Sequence, residues 1–257
     1  MSNGIFFVVD WAKLAETRSR TPQVPRKSIR DRRRAELSKA TFEELVLSGI
    51  RATTLERVAA RAGVSKGVLL HYFKDKSALL EAAMRLVNAQ LHDGMIRLLR
   101  QAETPLERLS AVIVGNFAEP FFCKEVCHAW ISLCAESPYN AKIQRIQNII
   151  YARTHSNLVD MLKAVTPPGQ ASEIAPHISA TIDGVWLRAS LRPVSMTMRE
   201  GVDQVNGAIA KFLNADAALT THLIAASRKM EGLSSPSLHP TALDALRGTT
   251  HGSASVV

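Results

Sequence analysis

The chain has 257 residues, 46% of them hydrophobic, and a formal net charge of +9. Such a length supports two domains with real cores, while three cysteines are too few, and odd in number, for a disulfide framework. No apolar run is long enough to span a bilayer, and the short stretch Ile5–Val9 lacks the basic lead of a signal peptide, so a cytoplasmic protein is expected.

The charge is not spread evenly. Residues 1–101 carry 19 Lys and Arg against 10 Asp and Glu, and the remainder carries 13 of each. A basic front joined to a neutral body suits a nucleic-acid-binding head and a second part with another task.

Residues 1–25 show no sustained period and read as a disordered leader. Arg26, Lys27, Arg30, Arg32, Arg33 and Arg34 then lead into a helix with Leu37, Ala40, Phe42, Leu45 and Val46 inward, stopping near Ser48-Gly49. Some of these cations, Arg33 among them, are expected to meet phosphates. The stretch TTLERVAARAGVSKGVLLHYFKDKSALL, residues 53–80, then reads as helix, tight turn, short helix, loop and helix. Thr53 with Glu56 three residues later has the spacing of a capping box. Val58, Ala59 and Ala62 form an inward stripe. Gly63 sits where a chain leaving a helix turns left-handed, and Val64 plugs the corner. Ser65 caps the next helix, and the small Ala59 and Gly67 let the two helices approach. Lys66, His71 and Tyr72 on the short helix are able to meet phosphates or base edges.

This stretch resembles the N-terminal domain of TetR-family transcriptional regulators, in order and without gaps. The resemblance rests on Thr54, Val58, Ala59, Ala62, Gly63, Val64, Ser65, Gly67, Leu69, His71, Tyr72, Phe73, Lys76, Leu79 and Leu80. It implies DNA contacts by Arg33, Thr54, Ser65, Lys66, Gly67, Leu69, His71, Tyr72 and Lys76. Leu70 stands where the family often has a Tyr on the DNA backbone.

Beyond the head, a helix is expected from Asp75 to about Gln101, linking head to body. Pro105 opens another, which ends near Glu119-Pro120. Further helices read as Phe121 to Glu136, Pro138 to Val165, Glu173 to Leu191 and Thr197 to Leu213. The tail after Asn214, rich in Ala, Ser, Thr and Gly, is expected to hold little beyond a frayed helix around Leu219 to Lys229. The fold class is therefore all-α. A basic leader covers residues 1–30, a three-helix helix-turn-helix head 31–91, a helical effector-binding and dimerisation body 92–213, and a mostly disordered tail 214–257.

In the body, Gly115-Asn116-Phe117, Ala129-Trp130 and Ile182 to Ala189 resemble BetI-type members of the same family. That resemblance implies a homodimeric repressor of choline and glycine betaine metabolism, released by a small effector such as choline or betaine aldehyde. Its operator would be near-palindromic double-stranded DNA. A quaternary ammonium is held by aromatic faces and a carboxylate. Phe117, Trp130, Tyr139 and Trp186 offer faces, and Asp183 lies one helical turn from Trp186. Close BetI relatives carry a further Trp near the position of Cys134. The alternative effectors are other small hydrophobic or cationic compounds. Cys123, Cys127 and Cys134 share a helical face, which a thiol sensor or soft-metal site could use, although buried cysteine is common. No P-loop, nucleophile elbow or zinc-spaced His pair is present, so neither catalysis, a cofactor nor a metal is expected. The rival class is a helical enzyme or carrier whose basic head binds nucleic acid without sequence preference.

Overall fold

The computed structural model describes residues 28–234. Every regular element among them is helical, and no helix there is long and apolar enough to cross a membrane. The leader, with Arg26 and Lys27, and the last part of the tail lie outside the described residues.

The head begins with α1 (Ile29–Ala52), capped by the Ser28 hydroxyl, which accepts from the Asp31 N–H. The helical path breaks at Gly49, whose φ of 74° only glycine adopts without strain. Next come α2 (Leu55–Arg61) and α3 (Lys66–Tyr72). The cap of α2 is one residue later than the sequence pattern placed it. Thr54 accepts from Arg57 N–H, whereas Thr53 is buried and donates to the Gly49 carbonyl. The Thr53 hydroxyl is thus already committed to closing α1, and Glu56 is left free to face α3.

Between α2 and α3 the chain makes a Schellman turn. Gly63 has φ 64°, its N–H bonds the Ala60 carbonyl at 3.1 Å, and Val64 N–H bonds the Ala59 carbonyl at 3.0 Å. Leu37, Val58, Ala59, Leu69, Phe73 and Leu79 form the head's core. Glu44, buried in α1, receives Arg57 at 2.5 Å and Arg61 at 2.7 Å, clamping α2 to α1. Burial pushes its carboxyl up, but hydrogen bonds from Ser48, Arg61 and Arg57 outweigh that and hold it below the ordinary range.

The body comprises α4 (Lys76–Gln101), α5 (Pro105–Asn116), α6 (Lys124–Ala135), a 3-10 turn (Ser137–Tyr139), α7 (Ala141–Leu162), α8 (Gln170–Leu191) and α9 (Met198–Phe212). Thr197 and Glu200 form a full capping box at the start of α9. Phe42 and Leu45 of α1 pack with Leu80 and Met84 of α4, Val126 and Leu133 of α6, and Ile143 and Ile146 of α7. This cluster joins head to body. At the crossing of α4 and α5, a Cβ on Gly115 would lie 2.8 Å from the Met95 Cβ, so only glycine fits there.

The helix expected around Leu219 to Lys229 is longer and better packed than the sequence suggested. After Leu213 the chain turns at Asn214 and enters α10 (Ala217–Leu233), capped by Asp216 and packed on α5 and α9. Leu223, Ala226 and Met230 are buried in the body core. Lys229 bonds Glu103 at 2.9 Å and Glu107 at 2.8 Å. Most polar residues of this stretch lie on its outer face, with Ser227 and Glu231 buried on the inner one.

Candidate functional site

Two sites emerge, one in the head and one in the body. In the head, α3 is held by three devices. The Ser65 hydroxyl caps its start by accepting from Val68 N–H. Leu69 is wholly buried beneath it. Arg34 closes its end, donating to the Tyr72 carbonyl and lying 4.3 Å over the Phe73 ring. The outward surface then carries Lys66, Gly67, Val68, Leu70 and His71, with Tyr72 half-buried beside His71. A Cβ on Gly67 would meet nothing but the Ser65 hydroxyl at 3.8 Å. Gly67 therefore does not serve close packing of α2 on α3; its open side faces outward.

Three residues expected to touch DNA have other occupations in the structure. Leu69 is a core anchor, because its position on the short helix points straight at Leu37 and Val58. Lys76 donates from Nζ to the Ile50 carbonyl at 2.7 Å, satisfying a carbonyl at the end of α1. Arg33 pairs with Glu36 at 2.7 Å on the exposed start of α1. Thr54 and Ser65 are exposed caps with free lone pairs. Lys66 meets Glu56 at 2.6 Å, and that ion pair draws the Glu56 carboxyl down to about 2.

In the body, α4, α5, α6, α7 and α8 enclose a cavity of about 90 Å³. Trp130, Asp183 and Trp186 line it. The two indole centroids are 6.3 Å apart with planes at 57°. Trp186 is oriented from behind: its indole N–H donates to the Asn116 carbonyl at 3.1 Å, and Phe122 packs edge-on at 5.6 Å. The Gly115-Asn116-Phe117 sequence thus has a structural meaning. Gly115 permits the crossing, Asn116 holds the indole, and Phe117 is fully buried against Phe122 at 4.9 Å.

Asp183 reaches solvent at the cavity mouth, yet enough protein surrounds it that burial raises its carboxyl to about 6. It has no hydrogen bond or ion pair to another described residue. Phe117 is a supporting residue rather than a lining one. Tyr139 is 87% exposed on the 3-10 turn and does not border the cavity, because Ser137–Tyr139 closes the α6–α7 corner on the outside.

The pattern-based reading missed the polar lining: Asn88 and His92 on α4, and Tyr151, Arg153, Thr154 and Asn157 on α7. The signal was present. His92 lies between the inward residues Leu91 and Met95, and Thr154 and Asn157 follow Ile150 at helical spacing, so polar groups interrupt apolar faces. The cysteines do not form a sensor. Cys123 lies outside α6 as its N-cap, and Cys127 joins a different core cluster from Cys123 and Cys134. Burial holds the Cys127 thiol far above its ordinary value and, with Asp183 adding, pushes Cys134 up to about 12, so thiolates are disfavoured.

A helix-turn-helix head whose long α4 runs on into a body with an enclosed cavity defines a one-component transcriptional regulator. Residues 37–83 match the family model for bacterial regulatory proteins of the tetR family, and residues 105–214 match that for the C-terminal domain of BetI-type transcriptional repressors. The chain is 35% identical over 183 residues to the HTH-type transcriptional regulator BetI of Klebsiella pneumoniae (strain 342), spanning 70% of this chain and 94% of that protein. It is 36% identical over 178 residues to BetI of Escherichia coli (strain K12), spanning 68% and 91%. The protein belongs to the TetR family, with a BetI-type body. The fold is shared with a transcriptional regulator from Rhodococcus sp. Rha1 (TM-score 0.63, 21% identity, 70% and 96% of the two chains). A putative transcriptional regulator from Saccharomonospora viridis, solved in complex with choline, is also similar (TM-score 0.62, 19% identity, 68% and 94%).

Proposed function

We propose that the protein is a cytoplasmic homodimeric repressor that leaves its operator when a small quaternary-ammonium compound, choline or betaine aldehyde, enters the body cavity. The observation that carries the ligand reading is the Trp130–Trp186 pair with Asp183 on the same cavity. A cation over a ring face within about 6 Å of its centroid is attracted. With centroids 6.3 Å apart, the two rings are close enough for one cation to lie within that reach of both. Asp183 supplies the counter-charge and lacks a cationic partner of its own. Choline in the S. viridis relative, and the BetI name of the curated relatives, point the same way.

In the head, α3 enters the major groove of a near-palindromic operator, with Lys66 and His71 toward phosphates or base edges and Val68 and Leu70 toward thymine methyls. Thr54, Ser65 and Tyr72 flank it and meet the backbone, as does Arg33 once a phosphate displaces its exposed pair with Glu36. The two sites have a short physical connection. Trp130 packs on the same cluster of α6, α4 and α1 residues that contains Phe42 and Leu45. A ligand that prefers a displaced α6 thereby favours a displaced α1 and a changed spacing between the two heads.

The test is calorimetric titration of choline and betaine aldehyde into the wild type, Trp186→Ala and Asp183→Asn. Loss of one ring should weaken binding by up to roughly thirtyfold. Asp183→Asn should weaken a cation and spare a neutral compound. No heat from either compound in the wild type removes the ammonium reading and leaves the regulator intact.

A further inference from the structure

The cavity lining also carries chemistry that a simple cation does not use. Arg153 on α7 lines the cavity half-buried, and it has no hydrogen bond or ion pair to another described residue. A guanidinium has only donors and is never deprotonated in a protein, so a lining Arg without a partner is a standing anion site. Beside it His92 of α4 buries its Nε2 without a hydrogen-bond partner. Burial, with Arg153 adding, holds the His92 imidazole below its ordinary pKa, so the ring is neutral near neutrality. A neutral ring with its proton on Nε2 donates to an acceptor in the cavity.

The opposite charges are kept apart. Asp183 and Arg153 form no ion pair with each other, and burial alone accounts for the raised carboxyl of Asp183. Asp183 acts on Tyr151 and Cys134, whereas Arg153 acts on His92. Tyr151 and Arg153 of α7 both line the cavity, Tyr151 within reach of Asp183 on α8 and Arg153 within reach of His92 on α4. One small cavity thus offers a carboxylate with two indoles, and a guanidinium with an imidazole.

We infer that this cavity is built for a zwitterion, with an ammonium group against Trp130, Trp186 and Asp183 and a carboxylate against Arg153 and His92. The inference rests on the cationic reading of the Trp130–Trp186 wall and adds the second pole. A compound such as choline fills one pole only and leaves the guanidinium unpaired. A trimethylammonio-carboxylate engages both, and charge-assisted hydrogen bonds to Arg are among the stronger polar contacts.

Calorimetry with the full chain separates the possibilities. The probes are choline, trimethylammonioacetate and its longer homologue trimethylammoniobutyrate. The wild type should bind at least one of the two zwitterions about tenfold or more tightly than choline. Arg153→Gln should cost that zwitterion at least about tenfold and leave choline within about twofold. His92→Gln should shift the zwitterion in the same direction by less, and it keeps the test open should Arg153→Gln fold poorly, which thermal melting reports. Trp186→Ala should weaken choline and zwitterion alike. Binding of choline without either zwitterion overturns the inference and leaves the cationic reading standing. Equal losses for choline and zwitterion in Arg153→Gln also overturn it. If no ammonium compound binds, the cationic reading fails and the second pole fails with it.

Discussion

Lys66 and His71 stand at the exposed turn of α3, and neither contributes to the head's core. Replacing either by Ala should leave thermal stability within about 0.5 kcal/mol, as for surface positions generally. Operator affinity in gel shifts should nevertheless fall. Lys66 now pairs with Glu56, an exposed contact that a phosphate can replace at little cost. If it does so, Lys66→Ala flattens the salt dependence of binding by about one unit of slope. Unchanged shifts for both variants across several salt concentrations would remove α3 from the groove. Asp183 gives a second residue-scale test. Its carboxyl is raised to about 6 in the folded protein, against about 3.9 in an unfolded chain. A cation needs the carboxylate, so choline affinity should hold above that pH and fall by up to about tenfold per unit below it. Stability runs the other way. Folding disfavours the charged form, so this group's contribution declines as pH rises from about 4 through about 6. Asp183→Asn should therefore raise the melting temperature at about pH 7.5, and the gain should vanish by about pH 4. A melting temperature unaffected at either pH would mean that the carboxyl is not desolvated.

At the scale of elements, the turn between α2 and α3 was legible because each of its residues has one available conformation. Gly63 adopts the left-handed φ, Val64 fills the corner, and Ser65 caps. Residue types alone did not separate the faces of α3. Leu69 and Leu70 look alike in the sequence, yet one is buried against Leu37 and Val58 and the other is exposed. The cap of α2 fell on Thr54 rather than Thr53 because two adjacent threonines both fit, and the tertiary role of Thr53 decided between them. The length and packing of the tail helix were underread for a related reason. Ala, Ser and Thr dominate α10, but Leu219, Leu223, Ala226 and Met230 recur at helical spacing after a good N-cap at Asp216. Its partners could not be read from sequence, since they come from α5 and α9. Ser227 bonds Ser110 at 3.1 Å and receives Asn206 at 3.0 Å, all three buried. A chain ending at Asn214 loses the burial of Leu223 and Met230, at about 1.5–3 kcal/mol each, and opens that polar set. It should melt several degrees lower than the full chain, and a chain ending at Ser234 should not. Equal melting of all three would show that α10 adds nothing to the body.

At the scale of the whole molecule, the cavity was only half legible. Trp130, Trp186 and Asp183 could be picked out because indoles and a lone acid stand out on apolar helices. His92 left a signal, a polar residue between the inward Leu91 and Met95, but its role, like that of Arg153, acquires meaning only when a second helix brings it a neighbour. Tyr139 failed for the opposite reason: proximity in sequence to α6 does not place a ring in the cavity when the 3-10 turn carries it outward. The remaining large-scale feature is an apolar surface on the last part of the body. Leu187 and Leu191 on α8, Val194 after it, and Phe212 on α9 are exposed, Leu191 to 71%. His177 stacks on Phe212 at 4.9 Å, which ties the two helices together there. We expect the second copy of the proposed homodimer to dock on the exposed Leu187, Leu191 and Val194 end of this surface, because an isologous contact presents two heads to two half-sites. Leu187→Glu with Leu191→Glu places two like charges on each copy at that contact. The variant should remain folded, since both side chains face outward, but light scattering at micromolar concentration should show monomer where the wild type shows dimer. Operator affinity should fall steeply while each head keeps its weak, salt-dependent binding to bulk DNA. A variant that stays dimeric with unchanged operator binding would move the interface away from α8 and α9.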